Sequence, residues 1–358
     1  MNIKIHSSEL NRIMKTIRQC IDPRMQQQYG NIEVSHDSNL LTIRSTNGQF
    51  SAVMSTPMLG GDGEKFCVDG DMFARVCAMC KGEILIDTDD GKNCIIKGNG
   101  RTRLPIVNKT IPEFEEISNG SSVDVKAEEF INGYYGVSHA ISSDQNNRII
   151  LTGVLMDVKA DSIMMVALDG FRMAYEEISY EGDEMKIVVP GAFMKLVCDS
   201  VEKGETISFK TYNGRLQVSA EGMTLYSPLL VGEFPDYERI MPKEFKTTTL
   251  VNIGLLRDAL KSSSVICDTS KLVKLTIGKE NITVSGNSEQ ADYEAQIQCG
   301  TNGNELTIAF NLKYLMETIG SISTEESIMM FNTPSSPCVI HGKDDTGTRL
   351  VLPVRVAG

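Results

Sequence analysis

No stretch of this chain reaches the roughly 18–20 consecutive apolar residues that a membrane-spanning helix needs. The opening, Met1-Asn-Ile-Lys-Ile-His6, has no hydrophobic signal-peptide region. Both absences point to a cytoplasmic protein without membrane contact. Nine cysteines, odd in number and irregularly placed, do not make a disulfide framework and fit reduced thiols. Positive charge is in deficit: 35 Lys and Arg stand against 47 Asp and Glu, a net charge of −12. A protein that grips phosphates tightly normally shows the opposite balance, so bulk charge argues against nucleic acid.

Motifs for chemistry are missing as well. There is no G-x-x-x-x-G-K-[ST] loop and no G-x-G-x-x-G fingerprint. His6, His36, His139 and His341 are scattered, and no Ser or Cys sits in a nucleophile elbow. Cys77-Ala-Met-Cys80 has no second pair to complete a zinc site, and its i, i+3 spacing lies on an apolar helix face. Asp87-Thr-Asp89-Asp90-Gly91 lacks the spaced ligands of a calcium loop and reads as a hairpin turn. No catalytic residue, metal site or cofactor is expected.

What is present is repetition. Ile3-Lys-Ile5-His-Ser-Ser-Glu9-Leu10 returns as Val123-Asp-Val125-Lys-Ala-Glu-Glu129-Phe130, and Leu250-Val-Asn-Ile-Gly-Leu255-Leu256 opens a third copy. Val68-Asp-Gly70, Val189-Pro-Gly191 and Ala309-Phe-Asn311 each precede a second helix. The tails after Gly100, Gly222 and Gly347 all run to a proline, Pro105, Pro228 and Pro353. A period this long means three whole domains, 1–120, 121–243 and 244–358. Each reads as strand, helix, strands, helix, strands. Ser7-Ser8 is placed to cap a helix carrying Leu10, Ile13, Met14, Ile17 and Ile21 inward. Asn213-Gly214 joins two alternating strands. The class is α+β, two helices and outer antiparallel sheets per domain. Linkers fall near Ile111–Gly120 and Gly232–Pro242.

Charge is sorted along this pattern. Six helix windows, 7–21, 71–81, 126–141, 191–203, 253–266 and 311–321, hold eleven basic and eight acidic residues, while the remainder holds 24 basic and 39 acidic. On the first helix, Arg12, Lys15 and Arg18 follow Glu9 with no acid among them; Arg257 and Lys261 repeat the spacing. One such helix is an ordinary solvated face. Six sharing the bias suggest a common basic surface.

Ala167-Leu-Asp-Gly-Phe-Arg-Met-Ala174, Gly232-Glu-Phe-Pro-Asp-Tyr-Glu-Arg-Ile-Met-Pro242, Phe310-Asn-Leu-Lys-Tyr-Leu315 and Val351-Leu-Pro-Val-Arg355 resemble the bacterial sliding clamps, the beta subunits of DNA polymerase III. The similarity runs the length of the chain, in order. It implies a head-to-tail homodimeric ring of six domains, helices lining the hole and sheets outside, and a non-catalytic processivity factor around double-stranded DNA. Encirclement needs no tight grip on phosphates, so the acidity is no obstacle. The resemblance further implies a hydrophobic pocket for short peptide motifs of the polymerase, clamp loader and repair proteins. Its positions are Leu151, Leu168, Gly170, Phe171, Arg172, Met173, Pro235, Arg239, Ile240, Val351, Leu352, Pro353, Val354, Arg355 and Val356. Arg172 or Arg239 would bond peptide carbonyls or a carboxylate. The DNA-facing set is Arg12, Lys15, Arg18, Arg24, Arg75, Lys195, Arg257 and Lys261, and the dimer contact joins Leu104 and Ile106 to Val265 and Ile266. The chain departs from the family pattern at Leu168 and Phe171, at Asp71 and Ala192, and at the extra Ala357-Gly358. Two other classes stay open: a repeated-domain enzyme using Asp169 and Arg172, for which no nucleophile is supplied, and a clamp-like relative that takes peptides but not DNA.

Overall fold

The computed structural model describes residues 2–24, 27–37, 39–62, 65–89, 91–108, 110–144, 148–267 and 271–355. Six helices of nine or more residues occur among them: α1 Ser7–Ile17, α2 Gly70–Met79, α3 Ala127–Val137, α4 Gly191–Ser200, α5 Ile253–Ile266 and α6 Leu312–Gly320. Each coincides with one of the six windows read from the sequence, α2 starting one residue earlier at Gly70. α1 and α2 bury matching positions sixty residues apart, Ile13 with Phe73, Met14 with Ala74 and Ile17 with Cys77. The apolar spacing therefore fixes one inward face, and Lys15 and Arg75 occupy equivalent exposed positions.

The cap of α1 differs from expectation. His6, not Ser7 or Ser8, is the N-cap, and its Nδ1 accepts from the Ser8 N–H at 3.4 Å. The reason is that each strand runs straight into its helix, so the last strand residue becomes the cap. Asp69, Asn252 and Asn311 do the same, accepting from the N–H of Met72, Leu255 and Tyr314 at 2.7, 3.0 and 3.3 Å.

The strands repeat one order. The first half of each repeat gives Asn2–His6, Glu83–Asp89, Asn93–Lys97, Arg101–Pro105; then Ser121–Lys126, Thr206–Tyr212, Arg215–Ala220, Met223–Pro228; then Thr247–Asn252, Glu326–Phe331, Cys338–Gly342, Thr348–Val351. The second half gives Phe66–Asp69, Asn31–Asp37, Leu40–Thr46, Ser51–Pro57; then Met185–Pro190, Gly153–Val158, Ser162–Leu168, Arg172–Ser179; then Leu306–Asn311, Leu272–Ile277, Asn281–Asn287, Asp292–Gly303. All pairings are antiparallel. The expected hairpin at Asn213-Gly214 has both residues in the left-handed region, φ 50° and 73°. Asp90, in the other expected hairpin turn, lies outside the described residues.

Half-sheets fuse across repeats. Met223–Pro228 pairs with Ser51–Pro57, making an eight-stranded sheet, and Thr348–Val351 pairs with Arg172–Ser179 in a twelve-stranded one. The compact units consequently cut across the middle repeat: one is 1–130 with 192–229, the other 131–191 with 230–358. In the first, Phe130 packs on Phe209 and Phe50 on Phe193, at 5.1 and 5.2 Å between centroids. In the second, Leu256, Leu260, Phe310, Leu315 and Phe331 form a closed core. The two linkers are themselves a repeat, Ile111-Pro-Glu-Phe-Glu-Glu-Ile117 matching Phe234-Pro-Asp-Tyr-Glu-Arg-Ile240. Phe114 meets Tyr226 at 5.6 Å in the first unit, and Tyr237 meets Tyr175 at 6.4 Å in the second. Each strap thus anchors one aromatic ring on a tyrosine of the strand pair where the halves fuse.

Replacing Asn311 with Ala removes the α6 cap and should lower unfolding free energy by about 1 kcal/mol, read as a shifted denaturation midpoint with an unchanged slope.

Candidate functional sites

The turn after strand Ser162–Leu168 builds the first site. Asp169 Oδ1 accepts from the N–H groups of Phe171 and Arg172 at 2.8 and 3.0 Å, holding a tight loop in which Gly170 takes φ +92°. Asp169 Oδ2 receives Arg172 Nε at 3.0 Å, and Arg172 Nη1 reaches Glu317 on α6. The guanidinium carbon lies 4.6 Å from the centroid of the Tyr314 ring, on which Phe171 also stacks at 5.6 Å and 23°. Phe171 is 57% exposed, whereas Arg172 is buried. Arg172 therefore differs from expectation. Two of its donors are committed to carboxylates within the chain, so it sets the floor beneath Phe171 and Tyr314. A cleft of about 450 Å³ opens here, lined by Ile141, Arg148, Leu151, Phe171, Lys313 and Tyr314 among others.

Leu151, Leu168 and Met173 join Tyr237 and Leu350 in one buried cluster, with Phe234 packed against it. Val351 faces the other core of that unit. Leu352 donates its N–H to the Phe171 carbonyl at 2.9 Å and Val354 to Ala309 at 2.8 Å, leaving both side chains partly exposed. Pro235 is half-buried and Ile240 exposed; Arg239 is exposed and ion-paired with Asp236 at 2.9 Å. The expected residues thus divide into a buried group and exposed apolar side chains, Phe171, Ile240, Leu352 and Val354, of which Leu352 is tied by its backbone to Phe171. Arg355 is exposed, and Val356, Ala357 and Gly358 lie outside the described residues.

The expected basic residues are exposed, all but Arg24 on helices, and most are engaged. Arg12 lies 3.6 Å from Glu9. Arg18 meets Asp71 of α2 at 2.9 Å, and Arg75 binds the other oxygen of the same carboxylate. Lys195 pairs with Asp199 at 2.8 Å, while Lys15 donates to the Asp199 carbonyl at 3.4 Å. Arg257 donates to the carbonyls of Ile319 and Ile322 at 3.3 and 3.2 Å, closing the C-terminal end of α6. Arg24 is exposed and bonded to Asp22 at 3.2 Å; Lys261 is exposed. α1 itself carries no acid among Arg12, Lys15 and Arg18, as read, but Asp71 of α2 supplies a carboxylate to Arg18.

Family models for the central and C-terminal domains of the DNA polymerase III beta subunit match residues 124–236 and 238–355. The chain belongs to the DNA polymerase III beta subunit family. It is 23% identical over 290 residues to the beta sliding clamp of Pseudomonas aeruginosa, covering 78% of this chain and 79% of that one. Against the Helicobacter pylori beta sliding clamp it is 26% identical over 288 residues, 76% and 75% of the two chains. The crystal structure of the Thermotoga maritima beta subunit shares the fold at a TM-score of 0.92 and 23% identity, covering 99% of this chain and all of that one. Beta subunits of this family are non-catalytic accessory proteins.

As a beta subunit, the chain has details that its sequence did not announce. Leu104 is buried against its own sheet, so the expected contact strand Arg101–Pro105 presents Arg101, Arg103 and Pro105 outward instead. Ile106 and Ile266 are half-buried, and Val265 is exposed. Cys77 and Cys80 are both buried, as read, and burial pushes the Cys20 and Cys94 thiols up to about 12. Tyr314 and Glu317 were missed as site residues, although Lys313, Tyr314 and Glu317 fall at helical spacing on one face. The buried pair of Glu176 with Arg349 was missed too. Arg349 also bonds Asp345 at 3.0 Å and Ser321 Oγ at 3.3 Å.

Burial raises the Glu176 carboxyl to about 7, the Arg349 charge only partly opposing it. A carboxyl whose folded pKa exceeds its unfolded value favours the native state most below the unfolded pKa, and that contribution is lost as pH rises through about 7. Glu176→Gln should therefore flatten the fall in unfolding free energy between about pH 4.5 and 7, measured by urea titration across that range. An unchanged slope would mean that Glu176 is ionised throughout.

Proposed function

We propose that two copies of this chain close head to tail into a ring around duplex DNA and act there as a sliding clamp, tethering the replicative polymerase without performing chemistry. The observation that carries the reading is a pair of strand edges. Within the chain, the last strand of a first half-sheet pairs twice with the last strand of a second half-sheet, at Met223–Pro228 with Ser51–Pro57 and at Thr348–Val351 with Arg172–Ser179. The third such pair would be Arg101–Pro105 with the first part of Asp292–Gly303, residues 292–298, since residues 299–303 already pair with Thr247–Val251. Among the described residues, Arg101–Pro105 pairs only with Asn93–Lys97, and residues 292–298 only with Asn281–Asn287. The first edge exposes Arg101 and Arg103, the second Asp292 and Glu294. Backbone edges with complementary charge favour joining to each other over joining to themselves.

In this reading the repeats are three domains, 1–120, 121–243 and 244–358, and two chains give six. The contact is heterologous and closes because each chain supplies half the circle. Arg12, Lys15, Arg18, Arg24, Arg75, Lys195, Arg257 and Lys261 face the DNA. Val265 and Ile266 flank the interface with Ile106. The cleft beside Phe171 and the exposed side chains of Ile240, Leu352 and Val354 take short peptide segments of the polymerase, clamp loader and repair proteins, apolar side chains supplying buried area. The protein works in the cytoplasm.

The test is topological. Once loaded, the protein should stay on closed circular DNA and leave when the circle is cut; equal retention on linear ends would reject encirclement. Reversing the edge charges in Arg101→Glu/Arg103→Glu should yield monomers by light scattering. Adding Asp292→Lys/Glu294→Lys should restore dimers, and a persistent dimer in the first variant would reject this edge as the contact. Phe171→Ala should weaken binding of a polymerase-derived peptide by about tenfold while leaving the dimer intact, measured by fluorescence anisotropy.

A further inference from the structure

We infer that Asp71 is a positioning residue that holds down the DNA-binding strength of the helix faces. This rests on the proposed ring, with α1 and α2 facing the duplex. Asp71 stands in the first turn of α2, where helix position favours a carboxylate. One oxygen takes Arg18 from the end of α1 at 2.9 Å, and the other takes Arg75 from the next turn of α2. The carboxylate is mostly shielded, at 21% exposed, while the two guanidiniums are 51% and 64% exposed. The acid is thus held beneath two cations that still reach solvent.

The consequence is electrostatic. Two arginines that would each meet a phosphate instead share one anion, so the group carries one net positive charge. Its donors are already pointed at Asp71. A phosphate must compete with the carboxylate for each guanidinium, which keeps contacts brief and lets the DNA move past. Asp199 acts similarly toward Lys195 at 2.8 Å, and its backbone carbonyl accepts from Lys15. Asp71 differs in bridging two helices and restraining two arginines, the side chain best shaped for phosphate.

The experiment compares wild type, Asp71→Asn, Asp71→Glu and the triple variant Asp71→Asn/Arg18→Gln/Arg75→Gln. Each is first checked for a cooperative melt and dimer size, and Asp71→Ser serves if Asp71→Asn does not fold. Binding to a short linear duplex is measured across salt concentrations, and diffusion of loaded protein is followed on single DNA molecules. Asp71→Asn should bind the duplex several-fold more tightly at low salt, with the log–log salt slope steeper by about 1–2, near 0.9 per phosphate gained. It should also diffuse more slowly. Asp71→Glu should resemble wild type, and the triple variant should lose the gain. Wild-type affinity and slope in Asp71→Asn, with wild-type protein retained on circles, would overturn this inference alone. Failure of wild-type protein to be retained on circles would instead overturn the ring reading.

Discussion

A β-sheet edge leaves a row of backbone N–H and C=O groups without partners, and the architecture of this chain follows from how those edges are used. Each repeat contributes two half-sheets with the same four-strand order, the first half-sheet of the first repeat carrying an added strand, Gly60–Asp62, beside Asn2–His6. At two places the terminal strand of one half joins the terminal strand of the next, so sheet continuity, not chain continuity, decides which residues pack together. That is why the compact units divide the middle repeat between them. In the proposed ring, exposed Arg101 and Arg103 on one edge and Asp292 and Glu294 on the other would make like edges repel and unlike edges attract. Backbone pairing supplies the affinity in such a contact, and side-chain charge supplies the direction, which is what a head-to-tail assembly requires.

The same economy governs the helices. In the proposed ring the helix faces slide along DNA, and such a surface cannot carry isolated cations at full strength, since every phosphate contact adds to the barrier between adjacent positions. The chain does not solve this by removing arginines. It places carboxylates and carbonyls of neighbouring turns and helices against them, so each cation keeps its charge but has a competing partner. Exposed pairs of this kind contribute little to stability. Their value lies in the electrostatic field that they leave behind.

Local features were legible in the sequence. The apolar period located the first helix, the repeat carried that reading to the other five, and the Asn213-Gly214 pair located its hairpin, because the primary signals lie a few positions apart. The features that were not legible depend on distant ones. Arg172 was read as a ligand-binding donor because its partner Glu317 lies 145 residues away. Arg18 was read as unopposed because Asp71 is 53 residues away on another helix. Leu104 was assigned to a contact surface by the resemblance alone, and the sequence of one strand does not tell which of its faces looks inward. The His6 cap was missed for a different reason: the strand runs into the helix without a loop, and the usual capping serines are already inside the first turn.

The cleft beside Phe171 shows how a repeated turn acquires different surroundings in its two copies. The loop at Asn47-Gly48 reproduces the loop at Asp169-Gly170: Asn47 Oδ1 accepts from the N–H groups of Gln49 and Phe50 at 2.9 and 2.7 Å, and Gly48 takes φ +85°. The backbone machinery is thus the same in both places, and it is a neighbouring side chain that differs. A Cβ at Gly48 would lie 3.3 Å from the Tyr29 ring, whereas one at Gly170 would meet nothing within 4 Å. The first loop is roofed by an aromatic ring and the second is open beside an exposed Phe171–Tyr314 stack. Room alone does not separate the two copies, since a cleft of about 740 Å³ borders the first loop between Tyr29 and Arg24; the linings differ, with the Phe171–Tyr314 stack present only at the second. Asp169 adds what Asn47 cannot: a negative charge that draws Arg172 under the stack and fixes the floor on which a bound segment would rest.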